Sequence, residues 1–184
     1  KAVRTGRDGI ENEHLKVALD RRGYLRIYDR KRRRQVFAGA GAIPLVMEDT
    51  SDTWSHNVRA YRKVVGRFKR TGARVIESGP VRGCLEVDYA FRDSCLRFRF
   101  LLGTGEAHVT IQARVDWRQT FQALKLSFPI PSRPETWTSD TPYGTVVRAV
   151  DGGEEPVRQW VDMSGEDRGV AIANDSKYGC SAEP

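Results

Sequence analysis

Trp54, His56, Arg59 and Tyr61 place two aromatic rings beside polar donors in one short stretch. Such a mixture suits sugars, whose ring faces are apolar and whose edges carry hydroxyls. The same rings also serve to cap one end of a core, and both readings stand. Just upstream, Glu48, Asp49 and Asp52 are the nearest thing to the two carboxylates, about 5–10 Å apart, that glycoside hydrolysis uses. In a stretch this rich in Asp and Ser, turn chemistry is the competing explanation. His14, His56 and His108 have no partner at metal-ligand spacing, and no His-x-Asp, His-x-His or HExxH occurs. Neither a GxSxG nor a persuasive Cys/His pair offers a nucleophile. The residues thus supply a contact surface without a self-contained active site.

What positions that surface is β-structure. From Val75 to Trp117 apolar and polar residues alternate in three runs, the side-chain period of strands with one buried face. Val81, Gly83, Leu85, Val87, Tyr89 and Phe91 share one parity; Leu96, Phe98, Phe100 and Leu102 repeat it, and Ala107 to Trp117 repeats it again, with His108 pointing outward. A two-residue loop at Asp93-Ser94 would pair Phe91 with Leu96, Tyr89 with Phe98 and Val87 with Phe100, and place Asp88 opposite Arg99.

Elsewhere, residues 1–9 read as a polar tail or linker. Strands are expected through Leu15–Leu19, Leu25–Ile27, Gln35–Phe37 and Ile43–Met47, with Arg21-Arg22-Gly23 as a hairpin turn, residues 39–42 flexible, and Pro44 marking an edge. Trp54, Val58, Tyr61, Val65 and Phe68 recur at helical spacing, which predicts a helical turn near 55–62 with Ser51 or Asp52 as N-cap. Leu124 to Ile130 reads as an edge strand, 136–142 as a loop, 143–150 as a strand, 151–156 as a polar loop, 157–163 as a strand, 169–173 as a buried strand and 174–179 as a loop. With no helix of ten residues or more, the class is all-β, on the order of twelve strands, a sandwich in 10–184.

The chain has 184 residues and a formal charge of +7. It has no apolar run long enough for a spanning helix, so no membrane partner is expected. It begins with Lys1, which fits a piece of a longer polypeptide without a visible signal peptide. Cys84, Cys95 and Cys180 match no metal spacing; Cys84 and Cys95 fall on the wet parity, do not face each other, and read as free thiols, a weak lean to the cytoplasm. Arginines are scattered among acids, and the only cluster, Arg30 to Arg34, sits in a turn. Nucleic acid is therefore a disfavoured partner.

Eight segments in order carry a resemblance: ENEHLKVALD (11–20), LRIYDRK (25–31), MEDTSDTWSHNVRAY (47–61), ESGPVRGCLEV (77–87), VDW with LKLSFP (115–117, 124–129), PYGTVVR (142–148), QWVDMSG (159–165) and GVAIANDSKYG (169–179). Together they resemble the C-terminal β-sandwich region of family 38 glycoside hydrolases, the α-mannosidases. Gln119-Thr120-Phe121 and Ala149 depart from the family's usual residues at local turns.

The resemblance implies an antiparallel supersandwich of the galactose-mutarotase-like kind, here as a fragment of a larger β domain. It implies a parent enzyme that hydrolyses α-mannosidic bonds with retention, whose catalytic carboxylates and zinc belong to a separate catalytic domain. This chain would then be inactive alone, with no catalytic or metal-binding residue of its own. It would pack on that domain and line the sugar pocket, with Tyr143, Gly144 and Arg148 of the PYGxxxR segment as candidates beside Trp54, His56, Arg59 and Tyr61. Arg148 also reads as a strand arginine paired with a nearby acid. Asn174, Asp175 and Tyr178 are expected in a structural loop. A stand-alone carbohydrate-binding module is the alternative.

Overall fold

The computed structural model describes residues 2–6 and 9–184, and no helix occurs among them. The all-β, antiparallel expectation holds. The chain separates into two compact units, Lys1–Glu48 with Lys63–Pro129, and Asp49–Arg62 with Ile130–Pro184.

In the first unit, β1 (Arg4–Gly6), β2 (Gly9–Glu11), β3 (Leu15–Leu19), β4 (Leu25–Asp29) and β5 (Arg34–Gln35) form one sheet in sequence order. β6 (Ile43–Glu48) and β7 (Val64–Arg67) belong to a second sheet. β8 (Lys69–Ser78), β9 (Arg82–Phe91), β10 (Ser94–Gly103) and β11 (Thr110–Asp116) make the third, ordered β11-β10-β9-β8. β12 (Gln122–Ser127) completes the second as β12-β6-β7.

The inward parity of the meander builds the core. Leu85, Val87, Tyr89, Leu96, Phe98 and Phe100 are all buried, and each such side chain contributes about 1.5–3 kcal/mol. They meet the first sheet directly. Tyr24 stacks on Tyr89 with ring centroids 6.2 Å apart. The Tyr89 hydroxyl donates to Gly23 O at 2.7 Å, and the Tyr24 hydroxyl donates to Phe68 O at 2.8 Å. A Cβ at Gly83 would sit 2.7 Å from Val3 Cγ1, so the sheets close to backbone distance there.

The meander's register differs from the expected one by two residues. Ser94 opposes Phe91, Leu96 opposes Tyr89, Phe98 opposes Val87, and Arg97 rather than Arg99 lies across from Asp88. A two-residue shift leaves every side chain on its own face, so apolar alternation could not tell the two apart. The choice is made by Ser94, fully buried, whose hydroxyl accepts Arg118 N–H and Gln119 Nε2, both at 2.9 Å. That draws Ser94 into the strand and leaves Arg92-Asp93 as the turn, with Arg92 at φ 50°.

Other expectations are corrected. Within the expected tail 1–9, residues 4–6 form β1 and Val3 is buried, while Lys1, Arg7 and Asp8 lie outside the described residues. Residues 39–42 are ordered: Ala40 and Ala42 are buried and Gly41 bridges to Leu25. β6 is the middle strand of its sheet, not an edge. Pro44 is tolerated there because Phe68, just beyond the end of β7, donates its amide to Pro44 O while its own carbonyl accepts the Tyr24 hydroxyl in place of an N–H from residue 44. Cys84 is buried beside Leu101, its register partner, so the outward face is dry at that end and burial raises the thiol pKa. β11 starts only at Thr110, which leaves His108 in the preceding loop, and as an edge strand it leaves Val115 46% exposed.

In the second unit, β13 (Thr136–Thr141), β14 (Gly144–Ala149), β16 (Trp160–Ser164) and β17 (Gly169–Ala173) order as β14-β13-β16-β17, and β15 (Glu154–Pro156) pairs with β18 (Gly179–Ser181). The core is Trp137, Val157, Val161 and Ala182, flanked by Val150, Met163 and Ile172. The expected loop 136–142 is thus mostly an interior strand. β13 reads TWTSDT and buries polar Ser139 and Asp140, so the period-two signal is missing. Conversely, β17 is an edge strand with only Val170 and Ile172 half-buried, not a buried one.

Candidate functional site

All seven candidate residues fall in the second unit. In the 49–62 segment the expected helical turn is absent. Ser55 and Asn57 take φ of 54° and 63°, and the chain makes two successive turns, Ser55 N–H to Asp52 O at 3.0 Å and Val58 N–H to Ser55 O at 3.2 Å. Left-handed residues two apart cannot continue a right-handed helix.

Asp52 organises these turns. Its Oδ1 accepts Trp54 N–H at 3.0 Å and His56 N–H at 3.1 Å, and its Oδ2 meets His56 Nδ1 at 2.7 Å. The His56 ring first, then the His56 amide, hold the Asp52 carboxyl below its usual pKa. Asp49 accepts Ser51 N–H at 3.1 Å and Ser51 Oγ at 2.5 Å, and Glu48 pairs with Lys63 at 2.7 Å. Each of the three acids weighed for catalysis is thus engaged in local structure. The turns leave the Trp54 ring 80% exposed rather than capping a core. Tyr61 is half-buried, its hydroxyl 3.4 Å from Ser55 Oγ.

A strut formed by residues 151–156 ties this loop to the β13–β14 hairpin. Arg59 Nη2 donates to Asp151 Oδ2 at 3.2 Å, and Glu154 N–H donates to Arg59 O at 2.8 Å. From the other side, Arg148 donates through Nε to Glu155 Oε2 at 3.1 Å and through Nη2 to Pro156 O at 3.1 Å. Its Nη1 donates to Ser139 Oγ at 2.6 Å, and its guanidinium lies 5.3 Å from the Trp137 ring centroid. The Arg148 side chain is only 15% exposed. Each of its three guanidinium nitrogens donates within this chain.

Tyr143 occupies the tip of the hairpin, fully exposed at φ 70°, next to Gly144, around which a Cβ would meet nothing within 4 Å. Arg148 sits five residues further along β14, a span of about 16 Å at strand rise. The structure therefore joins Arg59 to Arg148 through the strut and sets Tyr143 at the opposite end of β14 from Arg148. Sequence reading missed Asp140, Asp151 and Glu155. Asp140 Oδ1 accepts the amides of Arg158, Gln159 and Trp160 at 3.3, 2.8 and 3.0 Å, which fixes the start of β16. No pattern in the sequence pairs residue 140 with residues 158–160.

Among the described residues no three His, Cys, Asp or Glu side chains are grouped to hold a metal ion, so they do not fit a zinc site. In the basic loop, Arg30 pairs with Glu11 and Arg32 with Asp29, both at 2.9 Å.

Residues 10–184 match the family model described as glycosyl hydrolases family 38 C-terminal domain. The chain belongs to this family. Alpha-mannosidase G of Dictyostelium discoideum is 21% identical over 94% of this chain and 18% of its own length. An α-mannosidase from Enterococcus faecalis V583 shares the fold with a TM-score of 0.82 at 13% identity, over 97% of this chain and 25% of that one. A family 38 protein from Enterococcus faecalis gives 0.81 at 14%, over 97% and 26%. The chain spans about a fifth of the curated relative and a quarter of the solved ones. The family drawn from the eight sequence segments is the family found.

Proposed function

We propose that this family 38 domain is the non-catalytic β-domain of an α-mannosidase, packed on a catalytic domain that carries the reacting carboxylates and the metal. The parent enzyme would cleave α-mannosidic bonds with retention. The observation that carries this reading is the family match across residues 10–184.

Within that role the exposed ring of Tyr143, at the hairpin tip, offers an apolar face to one sugar unit, and the exposed ring of Trp54 offers one to another pyranose. His56, Arg59 and Tyr61 offer donors at its rim, and Gly144 leaves room for a close approach. Arg148 acts by holding the strut and through its backbone, because its guanidinium is already bonded.

The test compares this chain with the longer polypeptide containing it, on an aryl α-mannoside. Turnover is expected from the longer polypeptide and none from the chain alone. Turnover by the chain alone, abolished by Asp49→Asn or Asp52→Asn, would overturn the proposal. The exposure of Trp54 also favours a second reading, a stand-alone sugar-binding module. Titration of the chain with mannobiose, followed by tryptophan fluorescence, decides it: no saturable change up to millimolar ligand removes that reading.

A further inference from the structure

The first unit carries a second surface, made of none of the residues above. A groove of about 650 Å³ is walled by Arg21, Arg22, Arg67, Lys69 and Arg70. A neighbouring groove of about 610 Å³ is lined by Lys16 and Arg26, and Arg21 is common to both. The only acid lining either is Asp20. Its Oδ1 is taken by the amides of Arg22 at 2.9 Å and Tyr24 at 2.8 Å.

These cations have no acidic partner among the described residues. On the meander sheet, by contrast, Arg74, Arg82, Arg97 and Arg99 each bond to a carboxylate. The chain has 24 acids for 31 Lys and Arg, so cations are in excess, and seven of the unpaired ones stand together around these two grooves.

The walls are held rigidly. Gly23, at φ 87°, lets the β3–β4 turn lie against Arg70, whose Cδ would be 2.5 Å from a Cβ there. The Tyr89 hydroxyl fastens Gly23 O, and the Tyr24 hydroxyl fastens Phe68 O between Arg67 and Lys69. The backbones of both halves of the first groove are therefore pinned to the core, which keeps these exposed cations, and their mutual repulsion, on one surface. A ligand carrying several anions would relieve it.

We propose that the two adjoining grooves together bind an acidic polysaccharide, a sugar chain bearing anionic groups in series. The anion chemistry stands on the cations alone; the choice of a sugar backbone rests on the proposed function. Neither groove offers an exposed ring for base stacking, since Tyr24 is buried with its hydroxyl engaged and Tyr28 is half-buried, which disfavours single-stranded nucleic acid.

The test is direct binding of this chain to a heparin-derived sulfated octasaccharide across a salt series, with no hydrolysis involved. Its failure therefore leaves the proposed function standing. Saturable binding is expected, with log K falling linearly against log salt. Arg21→Gln/Arg22→Gln and Arg67→Gln/Lys69→Gln should each weaken binding about tenfold or more and lower the salt slope by about two. Arg62→Gln/Arg114→Gln removes the same charge elsewhere and should leave affinity within about twofold, with circular dichroism confirming the fold of every variant. Absence of binding at low salt, or equal loss in the Arg62/Arg114 variant, overturns the proposal. Tighter binding of duplex DNA of matched charge overturns the assignment to a polysaccharide.

Discussion

The carboxylate of Glu86, 2% exposed at the centre of the meander sheet, accepts Arg99 Nε from the adjacent strand at 2.8 Å. Arg74 reaches the same carboxylate from the strand on the other side, and Arg97 stands 3.8 Å away while bonding Asp88 at 2.6 Å. Glu86 is the register partner of both Arg99 and Arg74. One acid thus ties β8, β9 and β10 together on the face opposite the core.

Removing that acid should be costly. Glu86→Ala leaves three arginines facing one another over a dry centre, and a loss of about 2–4 kcal/mol is expected from breaking a buried pair. A double-mutant cycle with Arg99→Ala in urea unfolding should give a coupling well above the roughly 0.5 kcal/mol of an exposed pair. Additive effects would contradict the arrangement.

Tyr89 governs the alkaline limb. Burial first, then the neighbouring Tyr24, raises its phenol well above the usual value of 10. A phenol that holds its proton more tightly when folded contributes stability present below about pH 10 and lost as the pH rises past it. The thermal midpoint should fall between pH 9 and 11, and fall less in Tyr89→Phe. At neutral pH that variant should cost about 1 kcal/mol for the lost bond to Gly23 O.

Asp140 governs the acid limb in the second unit. Burial alone would raise its pKa, but the amides of Trp160, Gln159 and Arg158 outweigh burial and lower it. The stability it contributes is present above the unfolded value of 3.8 and is lost as the pH falls through the lower folded value. Asp140→Asn keeps an acceptor oxygen and should flatten the loss in melting temperature below about pH 4. Asp140→Ala should lower the midpoint at every pH.

Arg148 and Trp54 should separate on stability. Arg148→Ala strips Glu155, Pro156 O and Ser139 of their donor and should cost about 2 kcal/mol in urea unfolding. Trp54→Ala and Tyr143→Ala, both exposed, should change stability by no more than about 0.5 kcal/mol. On the proposed function, the latter two should raise KM for an aryl α-mannoside in the longer polypeptide.

The sequence by itself determined the class, the family and the inward face of the two central meander strands. Hydrophobic alternation is a local signal: Leu85, Val87 and Tyr89 announce their burial by spacing alone, and eight short segments in order carried the family. Tertiary structure alone decided what local spacing cannot encode. The meander register moved by two residues because the buried Ser94 hydroxyl answers to Arg118 and Gln119, distant in sequence. β13 was hidden because Ser139 and Asp140 are buried through bonds to Arg148 and to the amides of 158–160, so polar residues stand where a pattern expects apolar ones. The helical stripe from Trp54 to Phe68 failed because Ser55 and Asn57 take left-handed φ of 54° and 63°, which turn the chain out of a right-handed helix. Arg148, read as either a sugar contact or a paired strand arginine, is bonded to the strut because the chain turns back after β14 and sets Glu155 and Pro156 beside it. Alternation reports which face is dry, whereas polar partners separated in sequence are chosen only when the fold brings them together.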